Sequence, residues 1–597
     1  MSKEIHARLD ALRAQMRQKG VSAAIVPQAD PHMSEYLSQH WQARRWLSGF
    51  TGSAGDLLVT LDEALLWTDS RYFLQAGQQL EGTEIKLMKD GLPETPSMLE
   101  WLTANLKAGE TVGVNAMVFS TAAFAQLKDT LTRYGIGLNS DFDVLDEIWT
   151  DRPALPEGKV FVHELQFAGV KASDKIAQVM ANVRKQLANS VFISALDEIA
   201  WTLNIRCNDV RYNPVVTSFL YLSGEGAILF IDSAKVSPEV AEYLKGEGVK
   251  TAPYTAVKDF LRDLPADSKV LIESARNAAG IAEVLGERAV KGTSAVAMLK
   301  ACKNEVQLAG TRAAMLRDGV AMVKSLCEVQ AKVAAGERLT EMCVAEILRH
   351  YRSQGEYYFD ESFGTIAGYE GHGAIVHYEA DETSNAVIEP KGLLLIDSGA
   401  QYLDGTTDIT RTIAMSDCPT EQEKRDFTLV MKGHIALGSM IFPEGTAGTQ
   451  LDAIARQFLW KEGLSYLHGT GHGVGHFLNV HEGPQSIRLN YVPAPLTPGM
   501  INSNEPGLYR EGVHGIRCEN LVLTVEAMTT EFGKFYKFET LTLCPFERSL
   551  FDLDIMTNDE ITWVNNYHAT VRTALQPLLE GAPLQWLLKN TEPLPLH

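Results

Sequence analysis

Apolar residues recur at helical spacing over Ile5, Leu9, Leu12 and Met16, which predicts an amphipathic helix ending at Gly20. A strand is expected over 22–26. An apolar strand pair over 56–60 and 64–68 precedes a helical pattern over 71–79. The stretch 152–158, with Pro153 and Pro156, reads as a linker. The order then repeats from about Val160: helix 173–187, strand 190–194, helix 197–203, and a strand over 226–231. The two stretches agree in element order but not in residues, which suggests a duplicated fold. Each reads as an α/β domain.

The texture changes at about Ala297. A long helical pattern over 305–334 leads into a second over 340–353, and strand-like segments with glycine-rich turns then alternate with helices up to about Pro545. The tail opens on Thr557-Asn558-Asp559-Glu560, a capping-box pattern. Ile561, Val564, Val571, Leu575 and Leu578 follow it, predicting a helix that packs on the body or on a partner subunit. The expected domains are 1–158 and 159–296, both α/β, and 297–597, an α+β domain with a helical tail. Three domains suit 597 residues at roughly 150–200 residues per domain.

Charge and cysteine usage narrow the class. The formal net charge is −21 with 54 basic residues, which argues against nucleic acid as a partner. The acidic residues are scattered, as on a solvated surface, although metal-holding carboxylates would count in the same total. Seven cysteines with no CxxC pair indicate neither a disulfide framework nor a zinc knuckle. The charged, amphipathic start is no signal peptide, and no stretch approaches the ~20 apolar residues of a membrane span. A cytoplasmic protein is expected.

Several motifs carry little. Gly49-Phe50-Thr51-Gly52-Ser53-Ala54-Gly55 lacks the Lys-Ser/Thr ending of a phosphate loop and reads as a turn. Gly469, Gly471, Gly473 and Gly475 miss the dinucleotide spacing. His481-Glu482 and His163-Glu164 have no second histidine at HExxH spacing.

Five residues in the last third do carry chemistry: Asp397, Asp408, His472, Glu505 and Glu519. Asp397 ends an apolar run, an odd place for a solvated acid, and 407–413 reads as the return strand. A turn centred on Tyr402–Leu403 would set Asp397 opposite Asp408. A two-residue turn at Asp404-Gly405 would offset them by four residues. The sequence leaves both registers open. A turn centred on Gly512 would make Glu505 and Glu519 cross-strand partners. In an extended chain His468, His472 and His476 share one face, because their offsets are even. Four carboxylates and an imidazole form a hard, oxygen-rich set that suits two divalent ions such as manganese, cobalt or iron. Taken singly, each of the five is an ordinary turn, loop or surface residue.

In this order and with these neighbours, the five resemble the metal ligands of the "pita-bread" metallopeptidases, which run Asp, Asp, His, Glu, Glu. The resemblance is closest to the long, three-domain aminopeptidase P family and covers nearly the whole chain. It extends to Gly49–Gly55 and Trp67-Thr-Asp-Ser-Arg71-Tyr72-Phe in the first domain, and to Ala195-Leu-Asp-Glu-Ile-Ala-Trp201 in the second. Gly373-Ala-Ile-Val-His377-Tyr and Asn479-Val-His481-Glu-Gly-Pro484 extend it in the third. The resemblance implies two creatinase-like α/β domains before a pita-bread catalytic domain. It implies two metal ions, manganese first with cobalt, iron and zinc as alternatives, and a homodimer formed through the catalytic domain. The implied reaction removes the first residue of peptides with proline second, by attack of a metal-bridging hydroxide. Glu505 would act as base, His377 and His481 would hold carbonyls, and His468 would line the proline pocket. Arg517 would orient Glu519 or else lie on the surface. His476 stands where relatives carry a small residue and is read as a loop histidine.

Two other readings compete. A prolidase would cut the same bond only in dipeptides, and the two N-terminal units disfavour it. Some proteins of this fold have lost their metals and act as binding modules, and the five ligands together disfavour that.

Overall fold

A computed structural model describes residues 2–597. The chain forms two compact units, one of Met1–Glu164 with Val170–Val296, the other of Leu165–Gly169 with Ala297–His597.

The first unit contains two six-stranded sheets. Edge to edge, one runs Ile85–Lys89, Ala64–Thr68, Asp56–Thr60, Ala23–Val26, Thr111–Gly113, Gly137–Asn139. The other runs Val249–Ala252, Gly226–Phe230, Phe219–Ser223, Ser190–Ile193, Val270–Glu273, Ala289–Gly292. Strand senses match step for step: parallel, antiparallel, antiparallel, parallel, parallel. The repeat suggested by element order is therefore a repeat of topology. The first helix, Ser2–Lys19, buries Ile5, Leu9, Leu12 and Met16, the face its periodicity selects.

In the second unit the long helix Glu305–Ala334 starts at a capping box. Asn304 accepts from the Gln307 N–H at 2.9 Å, and Gln307 accepts from the Asn304 N–H at 3.1 Å. A six-stranded antiparallel sheet runs Ile441–Pro443, Gly533–Thr540, Asn520–Thr530, Ile501–Asn504, Gly471–Gly473, Glu482–Ile487. A three-stranded sheet holds Ile366–Tyr369, Leu393–Ser398 and Ile409–Ala414. The tail helix Asn558–Leu575 begins at the Thr557/Glu560 box and buries Ile561, Val564, Val571 and Leu575 in the core of this unit, with Phe427 and Val430. Leu578 lies beyond the helix end and is about half exposed, so it does not extend the buried stripe. The tail packs on the body of its own chain.

Candidate metal centre

The strands place the five residues by register. Leu393–Ser398 pairs with Ile409–Ala414 so that Asp397 faces Thr410. The turn is therefore Leu403–Asp404, midway between the two registers left open by the sequence. Asp408 stands diagonal to Asp397 by two residues, on the same face. The turn sits there because Asp404 pairs with Arg317 of the long helix, whose guanidinium also lies over Tyr402. Gly405 serves close approach: a Cβ there would meet the Thr311 Cα at 3.1 Å.

The second hairpin follows the register of a turn centred on Gly512. Gly507 faces Arg517, and Asn504 faces Asn520, which sets Glu505 opposite Glu519. Gly512 has φ +70°, where glycine is favoured. The histidine segment is less regular than an extended chain. Only Gly471–Gly473 is strand, with a bulge between His472 and Gly473. The expected shared face of His468, His472 and His476 is therefore broken after one strand turn. His476 is buried with Nδ1 3.3 Å from Thr311 Oγ1. A Cβ at Gly471 would lie 2.0 Å from the Ser503 carbonyl oxygen, so the strand that carries His472 needs glycine to pair.

Asp408, His472 and Glu519 each offer a ligand atom within 4.8 Å of the others. His472 Nε2 is 3.4 Å from Asp408 Oδ2 and 3.2 Å from Glu505 Oε1. Its Nδ1 faces the Gly473 carbonyl at 3.0 Å, so Nδ1 donates and Nε2 is turned to the carboxylates. Glu505 is fixed by the Ser503 hydroxyl at 2.9 Å, and that hydroxyl accepts from the His472 N–H at 2.9 Å. His481 packs edge-on against His472, with ring centroids 4.3 Å apart.

Arg517 is buried, not on the surface, and its partner is Asp397. Nη2 donates to Asp397 Oδ2 at 2.6 Å, Nη1 to the Tyr509 hydroxyl at 2.7 Å, and Nε to Thr410 Oγ1 at 3.2 Å. Glu519 is reached only through Thr410, which donates to Glu519 Oε2 at 2.7 Å. The Tyr509 hydroxyl in turn donates to His468 Nε2 at 2.8 Å, and His468 Nδ1 donates to the Gly469 carbonyl at 2.8 Å. Burial pushes His468 down to about 4, with Glu505 opposing and Arg517 adding to the shift. The ring is thus neutral, with its proton on Nδ1. Sequence reasoning missed Tyr509, Thr410 and Ser503.

The charges suit divalent cations. Burial raises Asp397 to about 6 despite Arg517, with Asp408 adding repulsion. Burial, then Asp408, Glu505 and Asp397, hold Glu519 well above the usual carboxylate range. Burial alone would lower His472, but Asp408 and Glu505 outweigh it and hold it well above its ordinary value. A cluster that gathers protons is one that lacks positive charge. Asp397 Oδ1 is also buried without a hydrogen-bond partner, an atom left over for a ligand. The residues fit two divalent ions.

Sequence comparison agrees. Residues 8–143 and 151–307 each match the creatinase/prolidase N-terminal domain, 309–526 match metallopeptidase family M24, and 534–594 match the C-terminal region of peptidase M24. Aminopeptidase P2 of Arabidopsis thaliana is 39% identical, over 96% of this chain and 86% of that protein. A probable Xaa-Pro aminopeptidase P of Laccaria bicolor is 40% identical, over 98% and 93%. The chain belongs to the Xaa-Pro aminopeptidase family of M24 metallopeptidases. Within that family, the X-prolyl aminopeptidase of Caenorhabditis elegans superposes with a TM-score of 0.95 at 34% identity, covering 99% of this chain and 100% of that one. It is described as a cytosolic enzyme with a di-nuclear active site. The family match accounts for the architecture: two creatinase-type domains precede the catalytic one. Among the described residues, no helix is long and apolar enough to cross a membrane.

Proposed function

We propose that this aminopeptidase removes the first residue from peptides with proline second, using two divalent ions held by Asp397, Asp408, His472, Glu505 and Glu519. One observation carries the reading: Asp408, His472 and Glu519 offer donor atoms within 4.8 Å of one another, with Asp397 and Glu505 on the same strand faces. Hard oxygen donors with one imidazole favour manganese, with cobalt, iron and zinc as alternatives. When bound, the ions supply Lewis acidity at the scissile carbonyl and bring the pKa of the attacking water towards neutrality.

The chain's own residues do the rest. Glu505 accepts a proton from that water and delivers it to the proline nitrogen as the C–N bond breaks. His377 and His481 hold the peptide carbonyls and donate to the oxyanion of the tetrahedral intermediate. His468, locked by Tyr509, lines the proline pocket. Arg517 keeps Asp397 ionised and aimed. The domains run 1–158, 159–296 and 297–597. The working form is a cytoplasmic homodimer joined through the catalytic domain.

The test is mass spectrometry of Arg-Pro-Pro incubated with manganese-loaded enzyme beside a chelated control. Free arginine in the loaded sample alone supports the reading. An intact tripeptide beside a cleaved Ala-Pro dipeptide would make the enzyme a prolidase. No cleavage with any metal would make the chain a binding module.

A further inference from the structure

One carboxylate organises the whole segment between the strands Ile366–Tyr369 and Val387–Ile388. Glu341 opens the helix Glu341–Arg352, and its side chain is fully shielded from solvent. Four donors converge on it. The Tyr369 N–H at 2.8 Å and His372 Nδ1 at 2.9 Å reach Oε1. The Tyr378 hydroxyl and the Ala386 N–H, both at 2.8 Å, reach Oε2. A carboxylate has about four lone-pair sites, so these donors fill it. The rings of His372 and Tyr378 stack 4.6 Å apart, which folds the segment back on itself around the carboxylate. His377 lies between the two pairs of anchors, one residue before Tyr378.

The other side of the segment is pressed against the hairpin that carries Glu505 and Glu519. A Cβ at Gly515 would lie 1.7 Å from the Gly373 carbonyl oxygen, and one at Gly371 would lie 3.1 Å from the Gly512 Cα. The Val376 carbonyl accepts from Arg517 Nη2 at 3.4 Å, and the same nitrogen holds Asp397. The backbone beside His377 is thus caught between Glu341 and the arginine of the metal centre. A buried carboxylate is a costly way to close a loop, and a fully satisfied one fixes a single conformation.

We propose that Glu341 is a positioning residue for His377. By binding the segment before and after it, Glu341 holds the His377 backbone in one place relative to Arg517 and Asp397. The proposal rests on the reading of His377 as a substrate histidine.

A double-mutant cycle on Arg-Pro-Pro hydrolysis tests it, with metal content and secondary structure measured for each variant. E341Q lowers kcat/KM by about 10- to 100-fold, the scale of a misplaced catalytic group, with metal content unchanged. In an H377A background the same change has an effect of less than about twofold, because coupled residues are not additive. Equal loss in both backgrounds, or loss of metal from E341Q, would overturn the proposal while leaving His377 its role. An H377A enzyme of full activity would overturn that role and the proposal with it. Should E341Q fail to fold, Y378F removes one of the four donors, and the Y378F/H377A cycle is read in the same way.

Discussion

Arg517 and Asp397 meet at 2.6 Å in the interior of the catalytic unit, and the same guanidinium reaches Tyr509 and Thr410. One side chain therefore counters the burial that raises Asp397, and fixes the tautomer of His468 and, through Thr410, the orientation of Glu519. Removing either partner of a buried ion pair costs about 3–5 kcal/mol, because the other is left uncompensated. R517A is expected to lower both the unfolding temperature and the bound metal. R517K keeps the charge but cannot reach three acceptors, so it regains stability and not activity. Thermal unfolding, elemental analysis and kinetics on one set of samples check this; full activity in R517K would refute the geometric role.

Chelation gives a prediction of opposite signs. Ligand binding to the folded state stabilises by about 2.7 kcal/mol at free metal 100 times Kd, so removal of metal lowers the unfolding temperature. Glu519 titrates well above its ordinary value in the metal-free protein, chiefly through burial and then repulsion. A carboxyl whose folded pKa is raised binds a proton that the unfolded chain releases, so metal-free stability falls as pH rises above about 4.5. E519Q removes that loss. Between pH 7 and 9 the metal-free variant is expected to melt above metal-free wild type, and the metal-loaded variant below metal-loaded wild type.

Two buried histidines outside the proposed ligand set act the other way. Burial, with Arg411 adding, depresses both His434 and His568 to about 3. Both stay neutral in the folded protein, whereas the unfolded chain protonates them near 6.5. Their contribution is complete above pH 6.5 and is lost on acidification, by ~1.4 kcal/mol per pH unit for each. H568Q, which keeps an acceptor for the Phe546 N–H, is expected to flatten the fall in stability between pH 6.5 and 4.5. Denaturant titrations across that range check it, and an unchanged slope would count against the assignment.

Gly471 offers the plainest steric test. Its Cβ would fall 2.0 Å from the Ser503 carbonyl, in the strand pair that brings His472 to Glu505. Overpacking of this kind costs about 1–3 kcal/mol, and here it also separates two site residues. G471A is expected to lose most activity while staying folded, as kinetics beside circular dichroism would show.

Much of the centre was legible because strand parity is. Glu505 and Glu519 could be paired from a turn at Gly512, since an odd-length loop with a central glycine admits one symmetric register. Asp397 and Asp408 could not, because their turn is fixed by Asp404 meeting Arg317, a contact with |i−j| of 87 that no local signal reveals. The supporting residues were within reach of the same rule. Ser503, Tyr509, Thr410 and Arg517 stand two or four residues from a proposed ligand, hence on its face of the strand. Which acid Arg517 holds was not legible, since Glu519 is its neighbour in sequence and Asp397 its neighbour only in the fold. The bulge at His472 was equally hidden, because it depends on the partner strand Glu482–Ile487.

The order in which the chain is made gives the tail helix a further meaning. Arg411, next to Thr410 on the strand Ile409–Ala414, donates to the Glu519 carbonyl at 2.6 Å and to the Tyr567 hydroxyl at 2.9 Å, a residue 156 positions later. During synthesis the five proposed metal ligands all leave the ribosome before the phenol that completes the coordination of this arginine. The nascent chain can thus gather the proposed ligands before it receives the fastening behind them. A peptidase assembled in that sequence stays unfinished until Tyr567 has emerged.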